Sequence, residues 1–343
     1  MKLRILPHHS VLMMFFIGLT FVDPGYTQGV NRLDSNTMSC VPHIKWIRQW
    51  PSSDKKKKQH SFRSRFNSIF LGKKTPSLTR PVAVMGVNPE NFWVLDQGAM
   101  SIFNIQGELG DIPHFLQKLN HDFISLVGIC SDSSGGFFFT DSFEKKIYRF
   151  LPDKKKLQVL NDSLILDQPT GIAWSEKTRE IWVTETNAHR IAIVNEKGER
   201  IRNIGSRGTA PGEFNYPTHI WIDKNGLVYI NDAMNFRIQV LNPAGDVVSV
   251  FGKPGDASGF FARPKGVAVD SHGNIYSVDA LFHTVQVFDL KGLYLNSIGG
   301  QGQGEGEFWM PSGIYIDRND FVYVADSYNS RIQVFQLNYN NTK

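Results

Sequence analysis

Cysteine is scarce: Cys40 and Cys130 are the only two in 343 residues. That excludes a disulfide framework, so the fold must be held by a core. Spanning-length apolar runs are missing too. The run Val11 to Val22 covers twelve residues, short of the ~20 that a membrane-crossing helix needs. No Ser, His and Asp fall into a nucleophile–base motif; they are scattered along the chain. What the chain does have is 41% hydrophobic residues and 25 Phe, ample for a packed core. Cys130 sits in a strand-like segment, where a lone thiol behaves as a small apolar residue.

A net positive balance is missing from most of the chain. The net charge is +5, yet residues 43–80 hold eleven Lys or Arg against a single acid, Asp54. The remainder is therefore net negative. A pI near 9.0 belongs to one segment, and nucleic-acid binding, which needs clustered cations on the folded domain, is not expected.

Strand-sized apolar runs closed by Asp, Asn and Ser recur throughout. In Pro311–Phe335 the run Gly313–Ile316 is followed by a polar turn at Asp317–Asp320. Phe321–Ala325 closes on Asp326, and Arg331–Phe335 alternates with period two. Matching sets begin at Pro264, Pro217 and Pro169, with weaker ones near Gly128 and Pro81. The acid ending the second strand falls at Asp96, Asp141, Glu185, Asp232, Asp279 and Asp326, at intervals of 45, 44, 47, 47 and 47. Six copies of a four-strand unit predict an all-β, six-bladed β-propeller with four-stranded antiparallel blades. Fourth strands are expected at 157–160, 200–204, 246–251 and 293–298, with that of the first blade somewhere in 110–119. After Phe335 too little chain remains for a last strand. The β-prone stretch Ile44–Trp50 is therefore expected to supply the outer strand of the sixth blade and close the ring.

These repeats resemble the NHL repeat. The chain over roughly 81–335, including the Gly-rich connectors 252–264 and 299–311, resembles a six-bladed NHL propeller. Some members of that family are enzymes. Peptidyl-α-hydroxyglycine lyases hold zinc through His residues that follow the inner-strand prolines. Here the residues at those positions are Val82, Val127, Thr170, Thr218, Lys265 and Ser312, and none is His; His219 lies one place further on. Lactonase-type propellers hold calcium with carboxylates and amides, and these positions offer no acid. No cofactor is therefore expected, as neither the zinc nor the calcium ligand set can be assembled.

The periodic acids are expected to accept hydrogen bonds from loop N–H groups and, in four blades, to pair with the Lys or Arg five residues on. Propeller connectivity places the strand 2–3 loops and the blade-to-blade connectors on one face, around the channel mouth. The candidate binding residues there are Thr170, His189, Thr218, His219, Lys265, His283, Trp309, Ser312 and Tyr328.

Outside the repeats, Lys2 and Arg4 precede the apolar run, and small residues follow it. Residues 1–27 thus read as a secretory signal peptide, which predicts export to the periplasm or beyond. Residues 28–39 read as a disordered leader, 40–50 as the closing strand, 51–80 as a basic linker with a short amphipathic helix, and 81–343 as the propeller. The expected role is a non-catalytic scaffold for a protein or peptide partner in the cell envelope. A weak contact of 55–74 with anionic membrane is a further expectation.

Overall fold

A computed structural model describes residues 41–52, 77–107 and 122–339. The expected signal peptide, the leader, most of the basic linker and the place of the first blade's fourth strand lie outside them.

Strand β1 is His43–Trp50. Blade 1 follows with β2 Pro81–Asn88, β3 Asn91–Asp96 and β4 Ser101–Gln106. Blade 2 has β5 Leu126–Ser131, β6 Phe137–Asp141, β7 Lys146–Leu151 and β8 Lys156–Val159. Blade 3 has β9 Pro169–Ser175, β10 Glu180–Glu185, β11 Arg190–Asn195 and β12 Arg200–Ile204. Blade 4 has β13 Pro217–Ile222, β14 Val228–Asp232, β15 Arg237–Leu241 and β16 Val247–Phe251. Blade 5 has β17 Pro264–Val269, β18 Ile275–Asp279, β19 Thr284–Phe288 and β20 Tyr294–Ile298. Blade 6 has β21 Ile314–Ile316, β22 Phe321–Asp326 and β23 Arg331–Asn338.

Pairing within each blade is antiparallel, and β1 is the outermost strand of blade 6, giving the order β1-β23-β22-β21. Trp46 pairs with Phe335 and Trp50 with Ile332. The Trp46 indole donates to Gln333 at 3.0 Å, and Arg331 donates to Gln49 at 2.7 Å. The ring is therefore sealed by β1 clasping the last strand, β23, as the missing last strand required.

The first strand of each repeat is innermost, and β2, β5, β9, β13, β17 and β21 each touch the next, with β21 returning to β2. Among the described residues six apolar clusters lie between neighbouring blades. One example joins Trp182 and Ile193 of blade 3 to Phe214 and Ile230 of blade 4. The inner strands thus pack apolar side chains against both neighbouring blades. That explains why β6, β10 and β22 read as near-continuous apolar runs.

Local chemistry sets the hairpins between strands 1 and 2. Asp317 accepts the N–H groups of Asn319 and Phe321, and the buried Tyr323 hydroxyl donates to its second oxygen at 2.8 Å. Asp270 with Tyr276 and Asp223 with Tyr229 repeat the arrangement. Burial, and then the adjacent aspartate, pushes these phenol pKa values up, so they stay as donors.

Candidate functional site

The six periodic acids are all fully buried. Asp96 accepts from the N–H groups of Thr79, Arg80 and Ala99. Asp279 does the same for Ala262, Arg263, Leu281 and Phe282. Each acid thus ties the segment entering its blade to the loop leaving strand 2. The expected partner five residues on is present for Glu185–Arg190, Asp232–Arg237 and Asp326–Arg331, each at 2.7 Å. The fourth expected pair differs: Lys146 reaches Asp162 at 3.3 Å instead. Asp141 is already saturated by four backbone N–H groups, which leaves the ammonium to find a surface acid. Burial acts to raise the Glu185 pKa. The hydrogen bonds from Arg200 and Arg190 outweigh it and hold the carboxyl down at about 2.

At the hub the inner strands approach closely. A Cβ on Gly313 would lie 2.5 Å from the Val82 carbonyl, and one on Gly171 or Gly266 2.8 Å from the next inner strand. Glycine at this third position lets neighbouring strands touch. Blade 4 breaks the pattern with His219. Its ring reaches across to β17, where Nδ1 accepts the Val267 N–H at 3.3 Å. That bond fixes the tautomer with the proton on Nε2. Burial pushes the imidazole pKa down to about 4, so the ring is neutral near pH 7. Deeper in the hub, Trp221 of β13 meets Tyr315 of β21 at 5.3 Å between ring centroids. Blade 5, between them, carries only Ala268 at the matching place. The two rings narrow the channel below its mouth. Cys130 is a free thiol of the inner strand β5; burial first, and then Asp132, push its pKa up, so it stays protonated and unreactive.

Above these rings, Thr218 of β13, Lys265 of β17 and Ser312, just before β21, belong to three successive blades and are half-buried. Asn231, fully buried in β14, joins the first two. Its amide donates to Thr218 Oγ1 at 2.8 Å and to the Lys265 carbonyl at 2.8 Å. The Gly266 N–H donates to the Ser312 carbonyl at 3.0 Å, which brings β21 alongside. Asn231 Oδ1 has no partner. No described carboxylate pairs with the Lys265 ammonium. Burial first, and then the nearby Arg263, hold its pKa below the usual lysine range. Thr218 Oγ1 already accepts, so its proton remains free to donate. The mouth on this side therefore presents donors around one uncompensated charge.

Three of the nine expected site residues are interior latches. Thr170 is buried between the hydroxyls of Thr184 and Thr186, and Thr186 continues to the Pro217 carbonyl of blade 4. His189 is buried in a left-handed conformation, and its Nδ1 accepts the Tyr216 N–H. His283 does the same for the Met310 N–H at 3.0 Å. These side chains bond one blade to the next, Thr170 and His189 as buried groups and His283 as a half-buried one.

Trp309 and Tyr328 are exposed and lie together, with ring centroids 6.0 Å apart. They belong to a larger pattern that the sequence reading did not pick out. Phe143, Met234, Leu281 and Tyr328 each stand two residues past the periodic acid, and they are 69%, 55%, 51% and 56% exposed. Ile124, Ile165, Tyr216 and Trp309, in the segments entering blades 2, 3, 4 and 6, are exposed on the same face. The signal was present in the fixed offset from each acid.

Among the described residues no group of three or more His, Cys, Asp or Glu is placed to hold a metal ion. A groove of about 610 Å³ lies away from the mouth, at the rim between the outer strands β20 and β1, and is lined by His43, Trp46, Ser297, Glu305 and Glu307. Blades diverge with radius, so a cleft there follows from ring geometry alone; the convergent polar groups are at the hub.

A six-bladed β-propeller closed by a strand from the other end of the chain is the class of protein that these features define. A model for the NHL repeat matches residues 308–335, and one described as a 6-bladed beta-propeller matches residues 156–242. Lactonase drp35 of Staphylococcus saprophyticus is 34% identical over 83 residues, 22% of this chain and 25% of that protein. The match thus spans about a quarter of that relative's length. Virginiamycin B lyase from Staphylococcus aureus superposes with a TM-score of 0.54 at 19% identity, covering 76% of this chain and 98% of that one. An auxiliary nutrient binding protein from Bacteroides thetaiotaomicron superposes with a TM-score of 0.59 at 13% identity, covering 76% and 70%. At such identities the likeness is one of fold. The chain carries an NHL repeat at 308–335 and folds as a six-bladed β-propeller.

Proposed function

We propose that this protein is an exported, non-catalytic propeller that holds a protein or peptide partner of the cell envelope on its connector face. The observation that carries the reading is the apolar ring. Four of six blades project an exposed Phe, Met, Leu or Tyr from the same loop offset. Exposed apolar side chains that recur at one loop offset on one face are the kind of surface that serves an interaction site. Trp309 and Tyr328 supply the aromatic anchors such interfaces favour. The basic start and short apolar run at the N-terminus support export. A photo-crosslinking residue at Leu281, compared with one at Asn225 on the opposite face, tests the reading in the native envelope. Adducts of defined mass are expected from Leu281 alone and are expected to vanish when Phe143 and Met234 are both changed to Ser. Equal labelling from the two faces would end the proposal.

A metal-dependent lyase or hydrolase with its site at the same mouth is the second reading, favoured by the names of the lactonase and lyase relatives. It has to contend with His219 and His283, whose Nδ1 atoms are both engaged by backbone N–H groups. Stoichiometric zinc or calcium in purified protein, lost in a His219→Ala, His283→Ala variant, would favour it over the scaffold.

A further inference from the structure

We infer that the channel mouth is a receptor for a single carboxylate, held by the Lys265 ammonium together with the hydroxyls of Thr218 and Ser312. The inference rests on the connector-face reading only in placing the rest of the ligand on the apolar ring. Its own residues are separate from that ring.

A half-buried ammonium without a carboxylate partner is costly, because it has lost part of its water and gained no counter-charge. Such a group is retained where an anion completes it. Three neighbours support this sign, against the unpartnered acceptor Asn231 Oδ1. Thr218 Oγ1 accepts from Asn231 and so turns its own proton outward. His219 has Nδ1 occupied by the Val267 N–H and so carries its proton on Nε2. Arg263 stands close enough to Lys265 to depress its pKa and adds a second positive field at the rim. The mouth thus combines one charged donor, neutral donors and no acid, in a ring where the Gly266 N–H to Ser312 bond fixes the spacing of the strands.

The choice of carboxylate follows from charge and depth. One ammonium inside a half-desolvated ring neutralises one negative charge; a phosphate dianion would bring a second with only the exposed Arg263 to meet it. The aromatic contact of Trp221 with Tyr315 crosses the hub further along the inner strands, which suits a terminal group better than a threaded chain. Depth favours the end of a peptide or a short acidic side chain over a branched polyanion.

The test uses the full chain and small probes at pH 7.5. N-acetylglycine presents a terminal carboxylate, and N-acetylaspartate α-amide a side-chain one. N-acetylglycinamide removes the charge, and inorganic phosphate changes the anion. Binding is followed by calorimetry and by the 1H–15N signal of the Lys265 side chain. At least one of the two acids is expected to bind with a Kd on the order of 1 mM and to shift that signal. The two acids ranked against each other identify the source of the carboxylate. Lys265→Met is expected to weaken the better acid at least tenfold while leaving the melting temperature unchanged or higher, which a purely structural lysine would not do. Should Lys265→Met fail to fold, the side-chain titration of the unaltered protein decides. The inference is overturned if N-acetylglycinamide matches the acids, if phosphate binds more tightly than either, or if Lys265→Met binds as before. Phe143→Ser with Met234→Ser is expected to leave acid binding intact, so failure of the docking reading and failure of this one show up separately.

Discussion

The later blades and the earlier ones join their neighbours by different means. Before blades 4, 5 and 6 the connector folds back on itself through parallel bridges, Arg207 with Phe214, Pro254 with Phe261 and Gln301 with Phe308. Each places a fully buried Phe beneath the loop, worth roughly 2–3 kcal/mol of apolar burial. Arg237 and Arg331 then clamp the connectors before blades 4 and 6. Arg331 pairs with Asp326 and donates to the carbonyls of Gln303, Gly304 and Glu307. In blade 5, where Thr284 stands at this position, Gln286 holds its connector at Gly259 and Phe260 in place of an arginine clamp. Between blades 1 and 2 the job falls to aromatic rings. Trp93 lies against Phe137 at 4.8 Å, Phe123 against Phe139 at 5.3 Å, and Phe139 stacks on Tyr148 at 5.1 Å. The lesson is that the fold needs each seam to be dry and each loop carbonyl to be satisfied. Polar clamps and aromatic packing are interchangeable ways to get there.

The hardest way to break this comparison is to remove the seam that both ends share. Deleting residues 41–50 exposes the edge of β23 and removes the buried Trp50. A loss on the order of 10 °C in melting temperature is expected, and an unchanged value would show the closing strand to be dispensable. Next in size is the clamp. Arg331→Ala leaves the fully buried Asp326 and three carbonyls short of a donor, and about 3–5 kcal/mol of stability should go with it. Its counterpart in the earlier half, Lys146→Ala, removes a largely exposed pair with Asp162 and should cost under about 0.5 kcal/mol. Equal effects in denaturant unfolding would refute the distinction.

A further effect is one of pH. The folded-state pKa of His219, about 4, lies below its ordinary value of 6.5. Between the two the unfolded chain takes up the proton and the folded one does not. The neutral ring's contribution is therefore fully present above pH 6.5 and is lost as pH falls towards 4, by up to about 3 kcal/mol. His219→Gly restores the small residue found here in blades 2, 3, 5 and 6. Melting curves of the two proteins should run parallel above pH 6.5 and converge or cross as pH falls below it. Parallel curves down to pH 4 would show that the imidazole is not held neutral.

Much of this architecture was legible beforehand because its determinants are local. β12 appears at 200–204 as expected, and β8, β16 and β20 begin within about one residue of their predicted starts. Hairpin glycines such as Gly226, Gly245 and Gly273 take the positive φ that their turns demand. The candidate site was less legible. His189 and His283 sit on the right loops, but as the residues that close them they turn inward and bond to the next blade. They stand four residues past the periodic acid, whereas Tyr328, which turns outward, stands two past it. Asn231 was passed over because a buried amide next to an acid looks like any other strand residue.

Chain periodicity alone dictated the number of blades, the acid that anchors each loop and the need for a borrowed closing strand. Alternation and turn chemistry act over a few residues and repeat without reference to the rest of the chain. Only the closed ring decided which loop residues became latches, that Trp221 would meet Tyr315 over Ala268, and that Lys265 would be left with hydroxyls and no counter-ion. Those outcomes depend on side chains from different blades arriving at one radius, and the curvature of the ring sets that distance.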